Sequence, residues 1–188
     1  MAMTTRPTAW FGGLLTSLVL AAAGTAMAAE GLREDPSGYR GAEFGMSSEA
    51  VLARLEADSV INVSVEETEA GDLIIDGELR VDGEPETDVR YVFPDGRDQL
   101  ALVVAFHPQV DDFAGVKERL EARYGQPWEG EMADWWFEQL KDGMPEEPAS
   151  LTVWGGGGNE LRERGRFVRL WAFEDHVSVE YLDTRLFR

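Results

Sequence analysis

The spacing of apolar positions along the chain changes several times, and each change marks an element. Residues 7–29 carry no charge at all. Val51, Leu52 and Leu55 then recur at helical spacing behind Ser47 and Ser48, predicting a serine-capped helix over about 48–58, with Glu49 well placed in its first turn. Four strand-like stretches follow, at about 60–67, 73–81, 87–93 and 99–106, on β-branched content and alternation. Gly71-Asp72, Asp82-Gly83-Glu84-Pro85 and Pro94-Asp95-Gly96 separate them as turns. Val89, Tyr91 and Phe93 share one face of the third strand; Leu100, Leu102, Val104 and Phe106 share one face of the fourth.

A second amphipathic stripe, Phe113, Val116, Leu120 and Tyr124, predicts a helix over about 112–124. Asp111 or Asp112 is its expected cap, and Gly125 with Pro127 its expected stop. Residues 132–138 fit either a strand or a short helix. Strands are expected at about 150–154, 166–173 and 176–183, the last two flanking Glu174-Asp175. Phe167, Trp171 and Phe173 share one face of the first of that pair, and Val177, Val179 and Tyr181 one face of the second. Residues 51–57 and 116–122 agree at Val, Arg, Leu, Glu and Ala positions, which hints that a helix-plus-strands unit occurs twice.

Composition narrows the classes. The chain has 188 residues, with 36 acidic against 17 basic side chains and a formal charge of −19. That balance excludes nucleic acid as a partner, because phosphate binding needs clustered Lys and Arg. With no Cys there is no disulfide framework, thiolate metal site or cysteine nucleophile. Residues 1–28 read as a signal peptide. Arg6 precedes the uncharged stretch, and Ala26-Met27-Ala28 supplies the small-x-small cleavage pattern. Cleavage after Ala28 implies a periplasmic or secreted protein with no stable membrane anchor. Residues 29–40 read as a loosely tied lead-in, and 41–188 as one domain with 41–108 and 109–188 as candidate halves.

Phe44-Gly45-Met46-Ser47 followed by Val51 and Leu55, with Tyr124-Gly125-Gln126-Pro127 closing the second helix, forms a pattern of "G-M-S/T" start and "G-x-P" stop. It resembles the superfamily of small exported α+β proteins that contains the SmpA/OmlA-type beta-barrel assembly lipoprotein and the beta-lactamase inhibitor protein. The resemblance implies helices packed on one face of an antiparallel sheet, and action by binding other proteins. It carries over no functional residue: this chain lacks the lipoprotein cysteine, and the two halves of the motif lie on different helices.

No constellation of residues names a reaction. His107 and His176 stand apart in sequence, with no H-E-x-x-H, and no G-x-S-x-G is present. Asp82, Glu84, Glu86 and Asp88 do not match a calcium-loop spacing. Gly155 to Gly158 lack the Lys-Ser/Thr that completes a phosphate cradle. Two segments stand out instead. Arg162, Arg164, Arg166 and Arg169 form a basic island in an acidic chain, fit for carboxylate or phosphate recognition or for neutralising the chain's own acids. All tryptophans beyond residue 28 fall in 128–171, and Asp134-Trp135-Trp136-Phe137 cannot bury every ring on one strand face.

The expectation is an α+β fold. One or two antiparallel sheets carry two helices on one face, with a duplicated helix-plus-strands unit as one form of that arrangement. The expected role is a non-enzymatic module of the bacterial cell envelope that binds a protein or peptide. Trp135, Trp136, Arg162, Arg164, Arg166 and Arg169 are the candidate contacts, and no catalytic residue, metal or cofactor is expected. The alternative is a small-ligand or anion-binding periplasmic protein.

Overall fold

The structure, a computed structural model, describes residues 34–156 and 165–187. The predicted signal peptide, Arg162, Arg164 and Gly157-Gly158 lie outside the described residues. Nine strands and three α-helices follow in order: β1 (Gly38–Tyr39), β2 (Ala42–Glu43), α1 (Ser48–Ala57), β3 (Ile61–Glu67), β4 (Leu73–Leu79), β5 (Thr87–Phe93), β6 (Leu102–His107), α2 (Phe113–Tyr124), α3 (Glu131–Leu140), β7 (Ser150–Gly155), β8 (Arg166–Ala172) and β9 (Val177–Asp183). β1 and β2 form a small ladder. The other seven strands make one antiparallel sheet in the order β3-β4-β5-β6-β9-β8-β7. The fold is α+β, and every neighbouring pair of strands in the sheet is antiparallel.

Local chemistry starts and stops the helices. Ser47 caps α1, its Oγ accepting from Ala50 N at 3.2 Å. The Gly45-Met46 turn is stapled to the strand region: Gly45 N donates to Leu100 O at 2.9 Å and Leu100 N to Met46 O at 2.8 Å. At α2 the expected aspartate cap does not form. A 3₁₀ turn over Val110–Asp112 runs straight into the helix, so Asp112 is already helical and makes no side-chain cap bond. Gly125 ends α2 at φ 83°, and its N–H donates to Glu121 O.

The register sorts the side chains by face. Ile75, Val89, Tyr91, Val103, Ala105, Val179, Tyr181, Val168, Leu170 and Trp154 point to one face. They form one buried cluster with Val51 and Leu55 of α1 and Val116, Leu120 and Tyr124 of α2. Each fully buried aliphatic there contributes about 1.5–3 kcal/mol. β6 is apolar on both sides. Its buried members are Val103, Ala105 and His107, while Leu102, Val104 and Phe106 occupy the opposite face and are half-buried. Alternation set the grouping; it could not say which group would meet the helices.

That opposite face carries what the sequence left open. Residues 131–140 are helical, and α3 packs over β7 and β8 on the side away from α1 and α2, with Phe137 6.5 Å from Trp171. The helices are thus divided between the two faces. Residues 34–40, expected to be loosely tied, are pinned. Glu34 pairs with Arg123 at 2.6 Å, Pro36 and Gly38 are buried, and Phe44 N donates to Ser37 O. Gly38 takes φ 145°, and a Cβ there would lie 1.9 Å from Ala42 O, so the β1–β2 approach requires glycine. At the sheet's edge β3 exposes Ile61, Val63 and Val65, with Glu66 and Glu67 closing the strand against further pairing. No helix among the described residues is long and apolar enough to cross a membrane.

Candidate functional site

α3 begins after Gly130, at φ 65°, and brings Trp135, Trp136 and Phe137 onto successive positions of one helix. A turn of 100° per residue spreads three rings around the helix, so they cannot all face the sheet. Trp136 turns inward. It sits 6.2 Å from Trp128 and 6.4 Å from Phe167, centroid to centroid. Trp128 is itself fixed to the end of β7, its Nε1 donating to Gly155 O at 3.1 Å and its backbone N to Val153 O. Phe137 leans on Trp171. Trp135 meets Trp136 edge-on at 5.2 Å and stays 56% exposed. Met132, one turn earlier, is 59% exposed. Glu131, Asp134 and Glu138 surround this apolar pair, all exposed.

Beneath the aromatics lies a polar hub. Glu180 Oε2 accepts from Trp171 Nε1 at 3.1 Å and from Arg169 Nη1 at 3.5 Å. Arg169 also stands over Trp136 at 6.0 Å and over Phe167 at 5.9 Å. This arginine is therefore committed to the interior of the α3 layer. Arg166 is on the other face of β8, as an odd offset from Arg169 requires. Its Nε donates to Asp183 Oδ2 at 3.1 Å, and its guanidinium lies 5.7 Å from the Phe44 ring. Burial would raise the Asp183 carboxyl, yet hydrogen bonds from Arg185 and Arg166 hold it below the usual carboxylate range. Arg166 and Arg169 thus do not converge on a common site, and each has its own carboxylate. The β8–β9 hairpin about Glu174-Asp175 supplies both carboxylates, placing Glu180 opposite Arg169 and Asp183 opposite Arg166.

His107 lies opposite Val177 in the β6–β9 register, one residue from His176, yet the two rings keep different partners. His176 stacks flat on Phe173 at 4.3 Å, with Nδ1 2.7 Å from Asp175 Oδ1. Glu146, Asp175 and His176 bring one ligand atom each within 4.8 Å of one another, the one grouping among the described residues that could approach a cation. Both carboxylates are exposed there, an arrangement ordinary surface acids also adopt. His107 is buried, with Nδ1 3.2 Å from Thr87 Oγ1. The acidic run 82–88 is engaged by cations of the chain itself. Arg80 pairs with Glu86 and Asp88, and Arg40 with Glu84.

Comparison with known protein families, with curated protein sequences and with solved structures finds no match to this chain. The superfamily resemblance therefore rests on the motif residues alone.

Proposed function

We propose that the chain is a non-enzymatic interaction module of the bacterial cell envelope, exported by residues 1–28, and that α3 is its contact face. The observation that carries the reading is Trp135. It is a large ring left more than half exposed beside an exposed Met132, on a helix whose other aromatics are half-buried against the sheet. Exposed aromatic and Met side chains held rigidly from below are what interface anchors look like. Trp136, gripped by Trp128, Phe167 and Arg169, supplies the rigid backing. The acids around the pair favour a partner with an apolar socket flanked by Lys or Arg.

The proposal also takes the two halves as copies of one unit. α1 leads into β3-β4-β5-β6 and α2, by way of α3, into β7-β8-β9, and the two sets meet in mirrored order at the β6–β9 pair. Val51 and Leu55 in one helix and Val116 and Leu120 in the other fill the same buried cluster.

A photo-crosslinking residue placed at position 135, and separately at the exposed Glu118 of α2, tests the contact face in intact cells. One recurrent adduct from position 135, absent from 118 and lost with Met132→Ser in the same chain, is the expected result. Adducts equal at both positions, or none at 135, refute it.

A further inference from the structure

On the α2 side of the sheet, away from α3, a cleft of about 350 Å³ opens between α2, the β1–β2 turn and the loop before β5. Three of the chain's few cations line it: Arg40 from the turn, and Arg119 and Arg123 one helical turn apart on α2. The sequence holds 36 acidic against 17 basic side chains, and three of the latter meet here. Arg40 is occupied by Glu84 and Arg123 by Glu34. Among the described residues Arg119 has no carboxylate partner. Beyond those two ion pairs Arg119 is left as the positive charge lining the cleft, with Asp112 the further acid near enough to act on His107.

The floor is polar in one place and aromatic elsewhere. Tyr39 and Tyr181 lie 5.0 Å apart, centroid to centroid, and both line the cleft. His107 lines it too. Thr87 Oγ1 spends its hydrogen on Pro85 O at 3.0 Å, so towards His107 it can only accept, and Nδ1 carries the ring proton. Nε2 is then a lone-pair acceptor with no protein donor, and it is not among the polar atoms buried without a partner. Burial, and next the Arg119 charge, hold His107 below its ordinary range, which keeps that lone pair free at neutral pH.

We propose that this cleft is a binding site for a small monocarboxylate bearing a hydroxyl group, with the carboxylate on Arg119 and the hydroxyl donating to His107 Nε2. A single cation beyond the two ion pairs selects a monoanion over a dianion. The acceptor at the floor selects a donor at the far end of the ligand, and the packed tyrosine pair with Leu120 favours a flat apolar body laid against it. A guanidinium suits a carboxylate through paired N–H donors. The site is separate from α3, so it stands or falls independently of the contact face above.

The full-length chain titrated with 4-hydroxybenzoate, followed by calorimetry and by the His107 ring signals in NMR, tests the assignment. For a ligand of this size a dissociation constant on the order of 1 mM is expected, with the His107 signals shifting in proportion to occupancy. Arg119 is exposed and unpaired, so Arg119→Gln leaves the fold intact and is expected to weaken binding by roughly tenfold. Glu84→Gln frees Arg40 and is expected to tighten binding several-fold, a gain that misfolding cannot imitate. No His107 shift, or equal affinity in Arg119→Gln, overturns the site. Inorganic phosphate or phenol binding as tightly as 4-hydroxybenzoate overturns the ligand class.

Discussion

Glu180 ties the sheet to the α3 layer, and its removal has a calculable cost. In Glu180→Ala the indole N–H of Trp171, in a side chain with no exposed surface, loses its 3.1 Å acceptor. A hydrogen bond to a charged acceptor is worth about 1.5–3 kcal/mol when its partner is left buried and unmet. Arg169 loses its counter-ion at 3.5 Å, and both side chains of that pair are only 14% and 16% exposed. The guanidinium keeps its two aromatic faces, which limits this second loss to about 1 kcal/mol. The sum is about 2–4 kcal/mol, or a fall in Tm of roughly 5–15 °C for a domain of this size. Glu180→Gln separates the two parts, because its carbonyl oxygen still accepts from Trp171 while the charge is gone; a loss of about 1 kcal/mol is expected. Urea unfolding followed by far-ultraviolet circular dichroism measures both variants. Glu180→Ala within about 0.5 kcal/mol of the parent, or Gln as costly as Ala, refutes the claim that this hub carries the α3 layer.

His107 is held neutral by burial and then by the Arg119 charge. The unfolded chain takes up its proton near pH 6.5 and the folded chain resists, so this contribution is complete above about pH 6.5 and is lost as pH falls through that value towards the lower folded pKa. His107→Gln is expected to lower stability overall but to flatten its decline between about pH 8 and pH 5; urea midpoints that fall in parallel with the parent contradict this. The excess of 36 acids over 17 bases makes the folded chain self-repelling. Raising salt from about 0.1 M to about 1 M shortens the screening length from roughly 10 to 3 Å, so the unfolding midpoint is expected to rise despite weaker surface ion pairs. A midpoint that falls with added chloride salt shows that the ion pairs outweigh the repulsion.

Local sequence determined the elements of this protein. Ser47, Gly125 and the 3–4 spacing of Val51, Leu55, Val116, Leu120 and Tyr124 set two helices, because capping and helical periodicity act within a few residues. Turn residues and alternation likewise set the strands from β3 onward, and the reversals between them made the sheet antiparallel. Residues 131–140 stayed open between strand and helix because the segment is too short for its period to decide; packing of Trp136 and Phe137 against β8 decides for the helix. Tertiary structure alone decided which side of β6 meets the helices, since both sides are apolar. Alternation along β8 parts two arginines three residues apart, and tertiary packing gave each its surroundings. Arg169 was drawn under Trp136 by Glu180, and Arg166 to Asp183 on the reverse face. The cluster of Arg40, Arg119 and Arg123 has no sequence signature, because its members come from a turn and a helix that only the folded sheet brings to one cleft. Trp135 was visible as a candidate from composition, but its exposure depends on which helical face the sheet claims. Periodicity is a property of neighbours in the chain; faces and sites are properties of neighbours in space.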